Sequence, residues 1–154
     1  MVAPGPAGAF LTHHTFVGLD TNLLIYFVQA HPRYGPWCRR LFERIKDGQN
    51  SAVSSAVSLL EVLVEPYRRE DHELAQAFYA LLSSYSGLRW LPVTLPVADL
   101  AAQLRARYRL STPDAIQMAT ALDAGATGFI GNDKGWKKVK EIECLVLDDV
   151  FESH

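Results

Sequence analysis

The sequence predicts an α/β fold built on a mostly parallel sheet of about five strands, and three observations carry that reading. Short apolar runs of strand length recur at 15–19, 51–53, 88–93, 128–130 and 144–147, each bounded by turn formers or acids. Between them lie stretches with helical periodicity and start signals such as Ser55, Pro96 and Thr112-Pro113. Strands that alternate with helices pair in parallel, because each crossover helix returns the chain to start the next strand in the same sense.

The first strand runs into Asp20-Thr21, which caps a helix over 22–29. Pro32, Gly35 and Pro36 break the chain, and a second helix spans 36–47, where Gly48 stops it. Ser55 caps a third helix that ends before Pro66, since proline cannot continue the hydrogen-bond ladder. Its pattern places Ala56, Leu59, Leu60, Leu63 and Val64 on the core-facing stripe, Glu61 at the border of that stripe and Glu65 away from it. A fourth helix, 71–85, gathers Leu74, Ala77, Phe78, Leu81, Leu82 and Tyr85 on one face. Pro96 opens a helix to 108, and a Thr112 cap followed by Pro113 opens another to 124.

Residues 1–14 are rich in Ala, Gly and Pro and lack the basic start and apolar stretch of a secretory signal. They read as a flexible leader, and 15–154 as a single domain. The 154 residues carry 49% hydrophobic and 21% charged side chains, the balance of an ordinary soluble domain, and no apolar run is long enough for a bilayer. A cytoplasmic protein is expected. The formal net charge of −2 excludes a general nucleic-acid coat, so any RNA contact must come from a local patch. Cys38 and Cys144 have no partner at CxxC spacing and read as reduced thiols, and the histidines show no ligand spacing.

In open parallel sheets, sites form at the carboxyl ends of the strands. Two strands here end in an acid, Asp20 and Asp133, and Asp114 lies in the first turn of the helix that precedes the second of them. Each has a plain structural alternative: a cap, a helix-dipole charge, a turn residue. Asp148-Asp149 also follows an apolar strand, so strand-end acids alone do not distinguish a site from a turn. Glu61 is different. A carboxylate flanked by leucines and half-turned to the core needs a partner, either an arginine (Arg39, Arg40 or Arg44) or a metal.

Four segments resemble the ordered motifs of the PIN-domain ribonucleases: 18–25 (GLDTNLLI), 58–61 (SLLE), 112–121 (TPDAIQMATA) and 130–134 (IGNDK). They stand in that family's order and at about its spacing, and the chain's size and motif style are closest to VapC-like toxins of toxin–antitoxin pairs. The resemblance implies a three-layer α/β/α fold. It implies an acidic quartet of Asp20, Glu61, Asp114 and Asp133, with Asn22 and Asn132 in supporting positions. It implies a homodimer and a groove for an antitoxin. The family often has Ser or Thr, whose hydroxyl helps order the site, where this chain has Gly131.

Carboxylates gathered in one pocket repel one another, and Mg2+ or Mn2+, which prefer oxygen ligands, would relieve this. Asp20 and Asp114 are expected as main ligands, Asp133 as a ligand directly or through water, and Glu61 as the group that orients or deprotonates the attacking water. Arg105, Arg107 and Arg109 precede Asp114, while Lys134, Lys137, Lys138 and Lys140 come after Asp133 with Trp136 among them. These residues suit single-stranded RNA by phosphate contact and stacking, or equally a solvated helix face with a packed Trp. The leading expectation is a Mg2+-dependent endoribonuclease toxin. The alternatives are a housekeeping PIN nuclease without an antitoxin and a non-catalytic PIN-like module that binds RNA or protein. A phosphotransfer receiver is disfavoured for want of a strand-borne lysine.

Overall fold

The computed structural model describes residues 6–152. Five strands, β1 (Phe16–Leu19), β2 (Ser51–Ser55), β3 (Leu88–Leu91), β4 (Gly128–Gly131) and β5 (Glu143–Val146), form one sheet in the order β3-β2-β1-β4-β5. Every pairing is parallel. The chain builds outward from β1 through β2 to β3, then returns to lay β4 and β5 on the other side of β1. The order therefore reverses between β1 and β4, the place where such sheets open a crevice at their carboxyl ends. Register puts Leu19 opposite Ile130, and the Asp20 N–H donates to the Ile130 carbonyl at 3.0 Å, so the two strand ends leave the sheet side by side.

Side chains alternate across the sheet and feed two cores. Val17, Leu19, Ala52 and Ile130 pack against helices α1 (Pro6–His13), α2 (Thr21–Val28), α3 (Gly35–Lys46), α4 (Ala56–Arg68) and α5 (His72–Ser83). Val53, Phe129 and Val146 pack against α6 (Leu95–Tyr108), α7 (Thr112–Ala124) and the 310 turn Lys134–Lys138. A final helix, α8 (Leu147–Glu152), begins directly after β5. The result is the three-layer arrangement. Gly18 lets α7 lie close on β1, because a Cβ there would stand 2.5 Å from the Ala121 Cβ.

The structure corrects four expectations. The leader is not flexible over its described part: 6–13 is α1, with Ala7, Phe10 and Leu11 buried, and positions 1–5 lie outside the described residues. Asn50 fastens its end by donating to the Leu11 and His14 carbonyls, both at 3.0 Å. Pro66 does not end α4, which continues to Arg68, because in a last turn the missing N–H forfeits a single bond. The stripe on α4 is also rotated. Leu59 and Leu63 pack on the core as expected, but Ser58, Val62 and Pro66 face most directly inward, while Ala56, Leu60 and Val64 are exposed. Finally, the cap of α7 is Ser111, one residue earlier than Thr112.

Candidate active site

Asp20 closes β1 and caps α2, and it is 3% exposed. Its Oδ1 accepts the N–H groups of Asn22 at 2.6 Å and Leu23 at 3.3 Å. Its Oδ2 accepts the Asn132 N–H at 3.2 Å and the Trp136 indole N–H at 3.0 Å. Burial pushes the Asp20 carboxyl up to about 6, and the four N–H donors, the indole foremost, pull against that rise. A carboxylate offers about four lone-pair positions, and all four here carry a bond.

Asp114 sits in the first turn of α7, where the Ser111 hydroxyl accepts its backbone N–H at 3.3 Å. Burial raises its carboxyl above the usual carboxylate range. Ser111 opposes the rise, and the charges of Asp133 and Glu61 add to it. Asp133, at the end of β4, is exposed and accepts the Gly135 N–H at 2.8 Å. Asp114 and Asp133 line one recess of about 130 Å3, together with Arg109, Ser111, Trp136 and Lys138. Asp20 is not among the residues that line it; Trp136, which is, bonds Asp20 through its indole.

Glu61 is half-buried on α4, and its partner is not an arginine. Its Oε1 accepts the Thr21 hydroxyl at 2.6 Å and the Gln117 amide at 2.9 Å, while Gln117 Oε1 accepts the Thr21 N–H at 3.1 Å. Arg44 instead donates to Asn50. This closed set joins α2, α4 and α7 around the acids. Gln117 was not singled out from the sequence, although it stands three residues after Asp114 on the same helix face, the spacing that would have found it.

Asn22 and Asn132 touch Asp20 through their backbone N–H groups, not their side chains. The Asn132 side chain spans from the Tyr26 hydroxyl, at 3.0 Å, to the Asp148 N–H, at 2.8 Å. Asp148 accepts the Tyr34 hydroxyl, and Asp149 pairs with Lys137, so neither of these strand-end acids lines the recess. Trp136 is 2% exposed and packs on Phe129 at 4.6 Å, which withdraws it as an RNA-stacking surface. Of the basic residues, Arg109 and Lys138 line the recess, Arg107 pairs with Glu141, and Arg105 donates to the Leu110 carbonyl at 3.0 Å. Lys134 opens the 310 turn.

Among the described residues, no three His, Cys, Asp or Glu side chains stand ready to hold a metal ion. The donor chemistry nonetheless suits a hard cation, because the carboxylates of Asp114 and Asp133 line one small recess. Also among the described residues, no helix is long and apolar enough to cross a membrane.

The fold is similar to several solved structures. VapBC2 from Rickettsia felis, bound to a promoter DNA fragment, matches at TM-score 0.69 with 16% identity over 85% of this chain and 98% of that one. VapC20 of Mycobacterium tuberculosis, a toxin that cleaves the sarcin-ricin loop, matches at 0.66 with 20% identity over 83% and 97%. DNA-bound VapBC from Salmonella typhimurium matches at 0.62 with 19% identity over 86% and 98%. No curated protein matches the sequence. The PIN domain model matches residues 17–142, most of the chain, and the chain belongs to that family.

Proposed function

We propose that the protein is a Mg2+-dependent endoribonuclease that hydrolyses RNA phosphodiester bonds as the toxin of a toxin–antitoxin pair. The observation that carries this reading is the recess that Asp114 and Asp133 share beside the carboxyl ends of β1 and β4. Asp114 and Asp133 share one recess, Glu61 adds its charge to Asp114, and Trp136, also in the lining, donates its indole N–H to Asp20. Burial raises the Asp114 pKa, and the like charges of Asp133 and Glu61 add to it, an arrangement that serves no packing purpose. Asp114 and Asp133 would hold the ion, and Asp20 would join them where one of its N–H partners gives up a lone pair. A bound ion supplies Lewis acidity, lowering the pKa of a water and neutralising phosphate charge.

The chain's own groups do the rest. Thr21 and Gln117 both bond Oε1 of Glu61, which fixes the carboxylate and makes Oε2 the oxygen that can turn to the attacking water. Arg109 and Lys138 set positive charge on the rim of the recess, where the scissile phosphate would dock. A groove of about 620 Å3 between α6 and α7 shares Arg109 and Leu110 with the recess and holds Arg105, giving an RNA strand a continuous path.

The similar VapBC structures support an antitoxin partner. Leu60, Val64 and Tyr67 expose an apolar face on α4, the kind of surface a homodimer or antitoxin would cover. The deciding experiment is cleavage of total RNA with Mg2+, with and without EDTA, alongside Asp20→Asn and Asp114→Asn. Cleavage that needs the ion and fails in both variants is expected. Undiminished cleavage by both variants would overturn the mechanism.

A further inference from the structure

We propose that Trp136 is the positioning residue of Asp20: its indole N–H fixes the carboxylate, and position 131 is glycine so that the indole can reach it. Only the kinetic arm of its test rests on the nuclease reading.

Four N–H groups hold Asp20, and three of them belong to the backbone. The two on Oδ1 come from the first turn of α2, a cap that many helix starts supply. Oδ2 depends on the Asn132 N–H at 3.2 Å and on the indole at 3.0 Å. Removing the indole leaves the second oxygen with the longer of its two bonds. The last torsion of an aspartate is broad, so the carboxylate plane then loosens about the pinned Oδ1.

The glycine points the same way. A Cβ on residue 131 would stand 2.5 Å from Asp20 Oδ2, 2.5 Å from Trp136 Nε1 and 2.6 Å from Trp136 Cδ1. Any side chain there displaces one end of the bond or the other. Backbone conformation does not explain the glycine, since the glycines with positive φ are Gly48, Gly87 and Gly125. What the missing Cβ provides is room for the indole. The ring is itself held in place. It packs on Phe129, and it rides on a 310 turn in which Asp133 accepts the Gly135 N–H through its side chain and the Trp136 N–H, at 3.1 Å, through its carbonyl. Asp133 thus shapes the turn that carries the donor to Asp20.

Two substitutions separate the bond from the packing. Trp136→Phe keeps an aromatic ring and deletes the N–H; Gly131→Ala keeps the indole and fills its approach. In the NMR spectrum the indole N–H resonance that disappears in Trp136→Phe is assigned to Trp136. In the wild-type protein it should lie downfield and exchange slowly with solvent. Gly131→Ala and Asp20→Ala should each move it toward the free-indole position and speed its exchange. In RNA cleavage each of Trp136→Phe and Gly131→Ala should lower kcat about tenfold, the size of one lost charge-assisted bond, with KM within about twofold. An indole resonance that Gly131→Ala and Asp20→Ala leave in place, or full kcat in folded Trp136→Phe, overturns the proposal. The resonance is read without substrate. A wild-type protein that cuts no RNA but shows the shifted indole would therefore sink the nuclease reading and leave this one standing.

Discussion

β1 and β4 are neighbours, run in parallel, end one residue apart in register and each deliver an aspartate at or just past their carboxyl ends. Yet Asp20 is 3% exposed and takes four N–H bonds, whereas Asp133 is exposed and uses its side chain for a local turn. The difference comes from the element that succeeds each strand. After β1 the chain starts α2 at once, so Asp20 becomes a cap buried beneath a helix. After β4 it makes a 310 turn that carries the acid outward and brings Trp136 back over Asp20. One strand end supplies a fixed, desolvated carboxylate, and the other a solvated one at the mouth of the recess. Burial makes the first costly to ionise, while the second stays in water.

The strongest way to break this comparison is to neutralise each acid in turn. Asp20→Asn should cut RNA cleavage by at least about a hundredfold, because the amide both loses the charge and turns an NH2 toward N–H donors. Protonation is the milder form of the same change. The folded pKa of Asp20, about 6, lies above its ordinary 3.8, so the folded state binds the proton more tightly. Stability from this group is fully present below about pH 4 and is lost as pH rises through about 6, roughly 3 kcal/mol in all. Asp114 is shifted in the same direction. Urea unfolding of the metal-free protein at pH 4 to 7 should therefore show stability falling with pH, with a clearly shallower fall in Asp20→Asn. In cleavage the proton and the cation compete for the same carboxylate, so the Mg2+ concentration needed for half-maximal activity should rise as pH falls. Equal slopes in wild type and variant would remove Asp20 as the source.

How much of this could be read from the sequence differs along the same two strands. All the strands announced themselves, because buried parallel strands are short apolar runs ended by a polar residue, and both strand-end acids were visible for that reason. The sheet order and the pairing of Leu19 with Ile130 were not, since nothing local encodes which strand lies beside which. The Trp136–Asp20 bond depends on that register, so Trp136 looked like a residue among lysines and Gly131 like a missing hydroxyl. Glu61 was flagged by its apolar neighbours, but part of the stripe was misplaced: Leu59 and Leu63 meet the core while Leu60 and Val64 face out, and hydrophobicity does not say whether a face meets the core or another molecule. Phe10 and Leu11 were lost in an Ala-, Gly- and Pro-rich stretch whose composition outweighed their spacing.

Two smaller effects sharpen the contrast between the strand ends. Gly18→Ala, two residues before Asp20, puts a Cβ 2.5 Å from that of Ala121 and must push α7 off β1. A loss of about 1–3 kcal/mol is expected, read as a lowered Tm, with Glu61 loosened as well because Gln117 moves with α7.

Asp133→Asn is the smallest. An asparagine oxygen can still accept the Gly135 N–H, so the 310 turn survives and unfolding should change by less than about 0.5 kcal/mol. The indole resonance should stay at its wild-type position, because Asp133 holds Trp136 through its backbone carbonyl. Only the charge in the recess is lost. Cleavage should then drop with a raised Mg2+ requirement, and saturating Mg2+ should recover most of it, a recovery that Asp20→Asn should not show. If excess Mg2+ rescued Asp20→Asn as well as Asp133→Asn, the two carboxylates would be doing the same job, and the burial that separates them would be a matter of folding alone.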